Sequence, residues 1–99
     1  MENKKIRWSQ TALKQFESAI RFIANDSLQN AGNVKSEILE KTLKLGLHPE
    51  IHSPDKYKIN NDGSFRAFEI HHYRIAYRVL ENEIRILRIR HTSREPKAY

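Results

Sequence analysis

Arginine, histidine and tyrosine side chains are concentrated in the last third of this 99-residue sequence, where they could act on an anionic group. Residues 65–99 contain eight basic side chains, seven of them arginines, against four acidic ones. Arginine makes planar, bidentate contacts with phosphates and carboxylates. The charge pattern therefore predicts an anionic partner, either a nucleic acid or an acidic protein segment.

The same side-chain types could support cleavage of RNA without a metal ion. Such an enzyme must activate a 2′-hydroxyl, stabilise extra negative charge on phosphorus and protonate the leaving oxygen. Arginine suits the second task, and histidine, glutamate or tyrosine suits the others. The candidates are Arg66, Arg74, Arg88, Arg90, His91, Arg94 and Tyr99, with Lys56 and Lys58 beside them. The alternative is that each arginine is a solvated residue on a strand face, and that Tyr73 and Tyr77 are core residues.

Other kinds of site find no support in the sequence. There is no Ser-His-Asp grouping, glycine-rich phosphate loop or pair of acidic residues on a helix, which argues against protease, kinase and dehydrogenase functions. With no cysteine, disulfides, thiolate nucleophiles and cysteine-containing zinc sites are excluded. No two of the five histidines have convincing metal-ligand spacing; His71 and His72 should point to opposite faces of a strand. We therefore expect neither a metal nor a cofactor.

Length and composition predict one small domain over residues 1–99. The chain is 38% hydrophobic and 30% charged, with a formal net charge of +6, so it is polar but can still form a core. The unbroken apolar stretches are far too short to cross a membrane, and the first residues lack the apolar segment of a secretory signal. We expect a cytoplasmic protein.

The first half of the sequence predicts a short strand followed by a helical hairpin. Residues 5–8 are the strand candidate, and Ser9 or Thr11 could cap a helix that begins near residue 10. Each helix has an apolar stripe that is expected to face the core. In the first helix the stripe is Leu13, Phe16, Ile20 and Ile23, with Ala12 and Ala19 beside it. In the second helix it is Ala31, Val34, Ile38 and Leu45, widened by Leu39 and Leu43. Residues 25–27 separate the helices, and Gly46 should end the second in a left-handed conformation.

The second half predicts strands. Residues 56–59 could form a short strand, and Asp62-Gly63 should turn the chain into a meander over residues 65–71, 73–79 and 84–91. Strict alternation in the last strand would place Leu87 and Ile89 on one face with Arg85 and His91, and Ile84 and Ile86 on the other with Arg88 and Arg90. The predicted fold is α+β, in the order β-α-α-β-β-β. The helical hairpin packs on one face of a small, mostly antiparallel sheet, and the arginines gather on the other face or at the strand ends.

This element order and several motifs resemble the RelE/ParE superfamily of bacterial toxins. The motifs are Tyr-Arg-Ile-Ala-Tyr at residues 73–77, Ser-Phe-Arg-Ala-Phe-Glu at 64–69, Ile-Leu-Arg-Ile-Arg-His at 86–91 and Thr-Ser-Arg-Glu-Pro at 92–96. The resemblance implies the toxin of a type II toxin–antitoxin module, which inhibits growth until an antitoxin with a partly disordered, often acidic tail neutralises it.

The superfamily divides by cellular target, and each branch implies a different mechanism. RelE-like members cleave mRNA on the ribosome, and that resemblance would make Arg66, Arg74, His91 and Tyr99 catalytic. ParE-like members inhibit DNA gyrase and lack a complete nuclease set. The long hairpin and the His91-Thr92-Ser93-Arg94 ending resemble the ParE-like branch, and Arg66-Ala67-Phe68 stands where a RelE-like strand would have two alternating lysines. The ParE-like interpretation is favoured, with the RelE-like enzyme as the alternative and a non-toxic RNA-binding relic as the third.

Contacts with the antitoxin or the target are expected from basic residues of the hairpin, the strands and the tail. These are Lys14, Arg21, Arg66, Arg74, Arg88, Arg90 and Arg94. The target would be DNA gyrase or the ribosome with its mRNA. The resemblance allows a homodimer or a toxin–antitoxin hetero-oligomer.

Overall fold

The computed structural model describes residues 3–99, which form two helices on one face of a four-stranded sheet. The elements are β1 (Lys5–Trp8), α1 (Gln10–Asp26), α2 (Leu28–Lys44), β2 (Phe65–Ile70), β3 (Tyr73–Val79) and β4 (Glu83–His91). The strand order is β1-β4-β3-β2, with β1 parallel to β4 and the other pairs antiparallel. The predicted α+β fold is confirmed. Neither helix is long and apolar enough to cross a membrane.

Two serines fix the helical hairpin. Ser9 caps α1 by accepting a hydrogen bond from the N–H of Ala12 at 3.0 Å. Ser27 caps α2 in the same way through Asn30, and its own N–H donates to the carbonyl of Ile23 at the end of α1. One residue thus ends the first helix and begins the second, and the two helices pack against each other.

The core lies between the hairpin and the inner face of the sheet. Its buried members include Phe16, Val34, Ile38, Leu45, Ile75, Tyr77, Ile84, Ile86 and Ile89. Leu13 and Leu43, which were expected in the apolar stripes, are 45% and 66% exposed. Each directly follows a buried residue, Ala12 or Thr42, so the helix rotation of about 100° per residue moves it off the buried stripe.

The prediction for Gly46 is wrong, because this glycine does not adopt a left-handed conformation. The cap of α2 is Leu45 with φ −63°, and Gly63 is the glycine with a positive φ in the described part of the chain. Gly46 is instead required by close approach. The N–H of Lys4 donates to its carbonyl at 2.9 Å, and a Cβ at Gly46 would lie 2.6 Å from the carbonyl oxygen of Lys4. Gly46 therefore allows the residues before β1 to pack against the end of α2.

Strict alternation in β4 is also wrong, because the strand contains a register shift. Ala76 pairs with Arg88, but the next residue of β3, Tyr77, pairs with Ile86, which leaves Leu87 as the extra residue. Ile84, Ile86 and Ile89 can therefore all be buried on the inner face. The shift brings Arg85, Arg88 and Arg90 together on the outer face.

Two further predictions of strand structure are wrong. His71 and His72 form the turn between β2 and β3, with φ values of 52° and 68°, as the twist of a two-residue hairpin turn requires. Residues 56–59 form turns, and near them Pro54 makes an isolated bridge to Arg66. The expected turn at Asp62-Gly63 is present, since Gly63 has φ +97° and Asp62 accepts a hydrogen bond from the N–H of Ser64.

Candidate functional site

Five arginines of β3 and β4 line the outer face of the sheet, on the side away from the helices, and Arg7 of β1 lies beside them, opposite Arg85. We call Arg74, Arg78, Arg85, Arg88 and Arg90 the arginine face. Arg74 lies directly opposite Arg90, and Arg78 lies directly opposite Arg85. Like charges opposed across strands repel each other. This surface therefore requires anionic or electron-rich neighbours, and the fold supplies some of them.

Arg74 is held by two carboxylates of the same chain. Its Nη2 donates to Asp55 Oδ1 at 2.8 Å, and its Nη1 donates to Glu69 Oε2 at 3.0 Å. The guanidinium lies 4.8 Å from the centre of the Tyr57 ring, and the side chain is 18% exposed. Arg74 is therefore charged and oriented, but both its terminal nitrogens already have anionic partners.

Asp55 joins three parts of the chain at this point. The residue is 2% exposed, and its carboxylate accepts hydrogen bonds from Arg74, from Tyr99 Oη at 2.6 Å and from the N–H of Tyr57 at 3.1 Å. Burial alone would raise the pKa of Asp55, but the hydrogen bonds from Tyr99, Arg74 and Tyr57 outweigh it and lower the pKa below the ordinary 3.8. Asp55 is thus an ionised, buried anchor that sequence reasoning missed, because nothing local distinguishes it from a surface aspartate.

Tyr99 lies on the arginine face. The Arg88 guanidinium is 4.0 Å from its ring centre, and the Phe65 ring packs edge-on against it. Burial, followed by the hydrogen bond to Asp55, raises the pKa of the Tyr99 hydroxyl. Tyr99 is therefore a protonated donor with its proton directed at a carboxylate.

Arg66 and His91, the other two predicted catalytic residues, lie on the inner side of the sheet. Arg66 pairs across the strands with Tyr77, and His91 pairs with Tyr73; both tyrosines are buried in the core. Residues that are directly opposite in an antiparallel pair share a face. The four residues of the predicted catalytic set are therefore divided between the two faces of the sheet.

The local contacts of these two inner residues are structural. Arg66 Nη1 donates to the carbonyl of His52 at 2.7 Å. Within residues 3–99 the buried Nε of Arg66 has no hydrogen-bond partner, and neither has that of Arg74. The His91 ring packs edge-on against Tyr73, and its Nδ1 accepts from the N–H of Ser93 at 3.0 Å.

The basic residues of the hairpin and the tail form a second surface, which meets the arginine face at Arg90. A groove of about 620 Å³ runs between α1 and the end of β4, and we call it the α1–β4 groove. Lys14 and Arg94 line it together with Arg90, while Phe22 and Ile89 contribute apolar surface. None of its lining residues is acidic. Arg21 is exposed on α1 outside the groove. The other six predicted binding residues are divided among three places: Lys14, Arg90 and Arg94 line the groove, Arg74 and Arg88 lie on the arginine face, and Arg66 contacts the loop at His52.

The site can bind anions, but its geometry does not favour acid–base catalysis. The side chains that could transfer a proton, Tyr99 and His91, do not converge on one point, since they lie on opposite faces. Within residues 3–99 no group of three or more His, Asp or Glu side chains is arranged to hold a metal ion.

Comparison with known proteins finds one matching family and several structures of similar fold. The sequence model for the ParE toxin of the type II toxin–antitoxin system parDE matches residues 6–96. A structure of the chromosomal ParDE system from P. aeruginosa superposes with a TM-score of 0.70 at 16% identity, covering 90% of this chain and 96% of that one. The YoeB dimer from Staphylococcus aureus gives a TM-score of 0.60 at 17% identity, covering 90% and 97%. No curated protein sequence gives a significant match.

Proposed function

The chain belongs to the ParE toxin family of type II toxin–antitoxin systems, and we propose that it inhibits growth by binding DNA gyrase, without cleaving RNA. Its role as the toxin of such a module follows from the family match and the shared RelE/ParE fold. The choice of gyrase rests on the resemblance to the ParE-like branch, together with the state of the residues that a nuclease would use.

The observation that carries the proposal is the separation of the nuclease candidates. Arg66 and His91 share faces with the core residues Tyr77 and Tyr73, whereas Arg74 and Tyr99 lie on the outer face. Phosphoryl transfer needs the base, the acid and the charge-stabilising group around one phosphorus atom. His91, at the end of β4, lines a small cavity with Arg74 and Arg90, but neither Arg66 nor Tyr99 is among the residues that line it. The four candidates therefore do not surround one phosphorus atom.

The pairing of Arg74 supports the same conclusion. A catalytic arginine must donate to the charge that develops in the transition state. Here Asp55 and Glu69 already accept from both terminal nitrogens, and Tyr99 donates its proton to Asp55. These contacts stabilise the fold. They leave Arg74 poorly placed to bind a charge that develops on RNA, and Tyr99 poorly placed to transfer a proton.

We place the contact with gyrase on the surface of α1 and the groove beside it. Lys14 and Arg94 line the α1–β4 groove, and Arg21 is exposed on the same helix. Phe22, 68% exposed, adds an apolar group of the kind that interface centres use. The chain would meet both gyrase and the antitoxin in the cytoplasm. Residues 1–99 would act as one toxin domain.

The partner in the module is an antitoxin, as in the ParDE system that this fold resembles. We infer that its segment contacting this chain is acidic, because the chain carries a net charge of +6 and the strands β3 and β4 present five arginines on one face. Self-association is a further assembly to test, since a structure of similar fold is described as a dimer.

Induced expression with two readouts in the same bacterial culture tests this proposal. The wild-type chain should arrest growth and induce the DNA-damage response, while mapping of mRNA ends should show no new cleavage at ribosomes. Lys14→Ala with Arg21→Ala should relieve the arrest, and a matched change on the arginine face, Arg85→Ala, should leave it in place. New mRNA ends at ribosomes without a DNA-damage response would refute the proposal and favour the RelE-like enzyme.

A further inference from the structure

Residues 48–55 lie along the free edge of β2, the last strand of the sheet, and we call them the edge loop. The N–H of Asp55 donates to the carbonyl of Phe65 at 2.8 Å, and the N–H of Ala67 donates to the carbonyl of Ser53 at 3.3 Å. The edge loop therefore covers backbone groups that an edge strand would otherwise expose to another chain.

The two halves of the edge loop are held in different ways. At its end, Asp55 is fixed by an ion pair with Arg74 at 2.8 Å. The half before it is held at Pro49, whose carbonyl accepts from Tyr77 Oη at 2.9 Å, and at His52. The first half thus has contacts of its own, separate from those of Asp55.

The ring of His52 packs this first half onto the sheet. It stacks on Phe68, with the ring centres 4.7 Å apart and 25° between the planes, and it meets Tyr77 edge-on at 6.3 Å. The carbonyl of His52 also accepts from Arg66 Nη1 at 2.7 Å. One residue therefore joins the edge loop to both β2 and β3.

The surroundings of the His52 ring disfavour a positive charge. Lys41 of α2 reaches the same place, with its Nζ 5.8 Å from the centre of the Phe68 ring. Burial first, and then the charge of Lys41, lowers the pKa of His52 below the ordinary 6.5. Within residues 3–99 no carboxylate forms an ion pair with His52. The ring is therefore neutral near pH 7 and packs as an aromatic group.

Other charged and titratable groups surround the same position. His52 lines a cavity of about 530 Å³ between α2 and the end of β2, together with Glu37, Glu40, Lys41, Lys44 and His71. Glu37 pairs with His71, and Glu40 pairs with Lys44. In the edge loop itself His48 and Glu50 are exposed. Both carboxylates of the cavity are thus engaged with other partners, whereas Lys41 forms no ion pair in the described part of the chain.

We propose that the edge loop is a pH-sensitive latch on the edge of β2, which is closed while His52 is neutral and releases residues 49–53 when the His52 ring takes up a proton. A proton on this ring adds a second cation beside Lys41, where water solvates it incompletely. Release returns the ring to water and leaves the N–H of Ala67 free at the sheet edge. The proposal goes beyond gyrase binding and does not depend on it.

The direction of the pH effect follows from the proton balance. Because the pKa of His52 is lowered in the closed state, the closed latch binds fewer protons than the released one. The closed latch is therefore favoured above pH 6.5 and becomes less stable as the pH falls below 6.5 through the closed-state pKa. Asp55, whose pKa lies below 3.8, stays ionised over this range and holds its end of the loop in place.

Hydrogen exchange on the wild-type full chain, between about pH 7.5 and pH 5 and corrected for the intrinsic effect of pH on exchange, tests the latch. Protection of the Ala67 amide should be constant near neutral pH and should fall severalfold in acid. The Asp55 amide should keep its protection, and an NMR titration of the His52 ring should give a pKa below 6.5. Constant protection of Ala67, or loss of protection at Ala67 and Asp55 together, would overturn the proposal.

Substitutions of three histidines identify the group that titrates. His52→Phe keeps an aromatic ring on Phe68 but takes up no proton, so its Ala67 amide should stay protected in acid. His52→Ala removes the stack and should leave that amide weakly protected at both ends of the pH range. The controls are His48→Phe in the exposed part of the loop and His71→Asn, because asparagine tolerates the left-handed backbone at that position. Both controls should keep the pH dependence of the wild type.

Two outcomes in these variants would contradict the proposal. If His52→Phe still lost protection at Ala67 in acid, a group other than His52 would control the loop. If His71→Asn abolished the pH dependence, the effect would belong to the pair of His71 with Glu37.

Discussion

The hydroxyl of Tyr99 donates a hydrogen bond of 2.6 Å to the carboxylate of Asp55, a residue 44 positions earlier in the chain. The same carboxylate accepts from Arg74 at 2.8 Å, so one buried aspartate connects β3, the loop before β2 and the C-terminal segment that ends at Tyr99. Two residues that sequence motifs suggest for catalysis are thereby used to stabilise the fold.

Asp55→Ala should lower the free energy of unfolding by about 3 kcal/mol, because it removes one partner of a buried ion pair and leaves Tyr99 Oη unpaired. Urea denaturation at neutral pH measures the change. Glu40→Ala is a suitable control, since this carboxylate pairs with Lys44 on exposed α2 and should contribute little. Similar losses for the two variants would contradict a special role for Asp55.

The stabilisation from Asp55 should depend on pH in a defined direction. Its folded-state pKa is lowered, so its contribution is present above the unfolded value of 3.8 and is lost as the pH falls through the folded value. The stability difference between the wild type and Asp55→Asn should therefore be constant at neutral pH and shrink at acidic pH below about 4. A difference that stays constant or widens in acid would mean that the carboxylate is not ionised in the folded state.

Much of the fold could be predicted from the sequence, because its signals are local. The apolar stripes, the Ser9 cap and the alternating strands each depend on near neighbours, and they give the elements in the right order. The sequence also predicts arginines on the outer face or at the strand ends, which holds for the arginines of β3 and β4, whereas Arg66 lies on the inner side. The extra residue at Leu87 was not, because a register shift is decided by the packing of Ile86 and Ile89 against the helices.

The candidate site was harder to predict, since it depends on contacts between distant residues. Asp55 acquires its role only when Arg74 of β3 and Tyr99 come together around it. The division of Arg66 and Arg74 between two faces depends on cross-strand register, which residue type alone does not encode. The motif at 73–77 could indicate the superfamily, but not which partners Arg74 has in the folded chain.

Alanine substitutions at the two glycines near the ends of α2 should change the stability of the fold in opposite directions. Gly46→Ala would place a Cβ 2.6 Å from the Lys4 carbonyl oxygen and should destabilise the fold by about 1–3 kcal/mol. Gly32→Ala lies within α2 with nothing within 4 Å of the added Cβ, and should stabilise by about 0.5–1 kcal/mol. Thermal unfolding of both variants measures the contrast. A neutral Gly46→Ala would show that residues 3–4 do not pack here.

Binding of the antitoxin should be sensitive to salt and should stabilise the toxin. An acidic segment that contacts the arginine face loses affinity as ions screen the charges, and a partner that binds only the folded chain raises its melting temperature. Titration calorimetry at low and high salt, with Arg88→Ala and Arg90→Ala for comparison, measures this component. A dissociation constant that does not change with salt would argue against electrostatic recognition.

Inhibition of purified DNA gyrase is the most direct test of the central claim, that this toxin acts by binding gyrase and not by cutting RNA. The wild-type chain, added to a supercoiling reaction in increasing amounts, should progressively block supercoiling, and the same preparation should leave ribosome-bound mRNA intact. Arg74→Lys, which preserves a charge beside Asp55, should retain the inhibition if the variant is folded. Full supercoiling at every toxin concentration, together with cleavage of the mRNA, would contradict the account and assign Arg74 and Tyr99 a catalytic role.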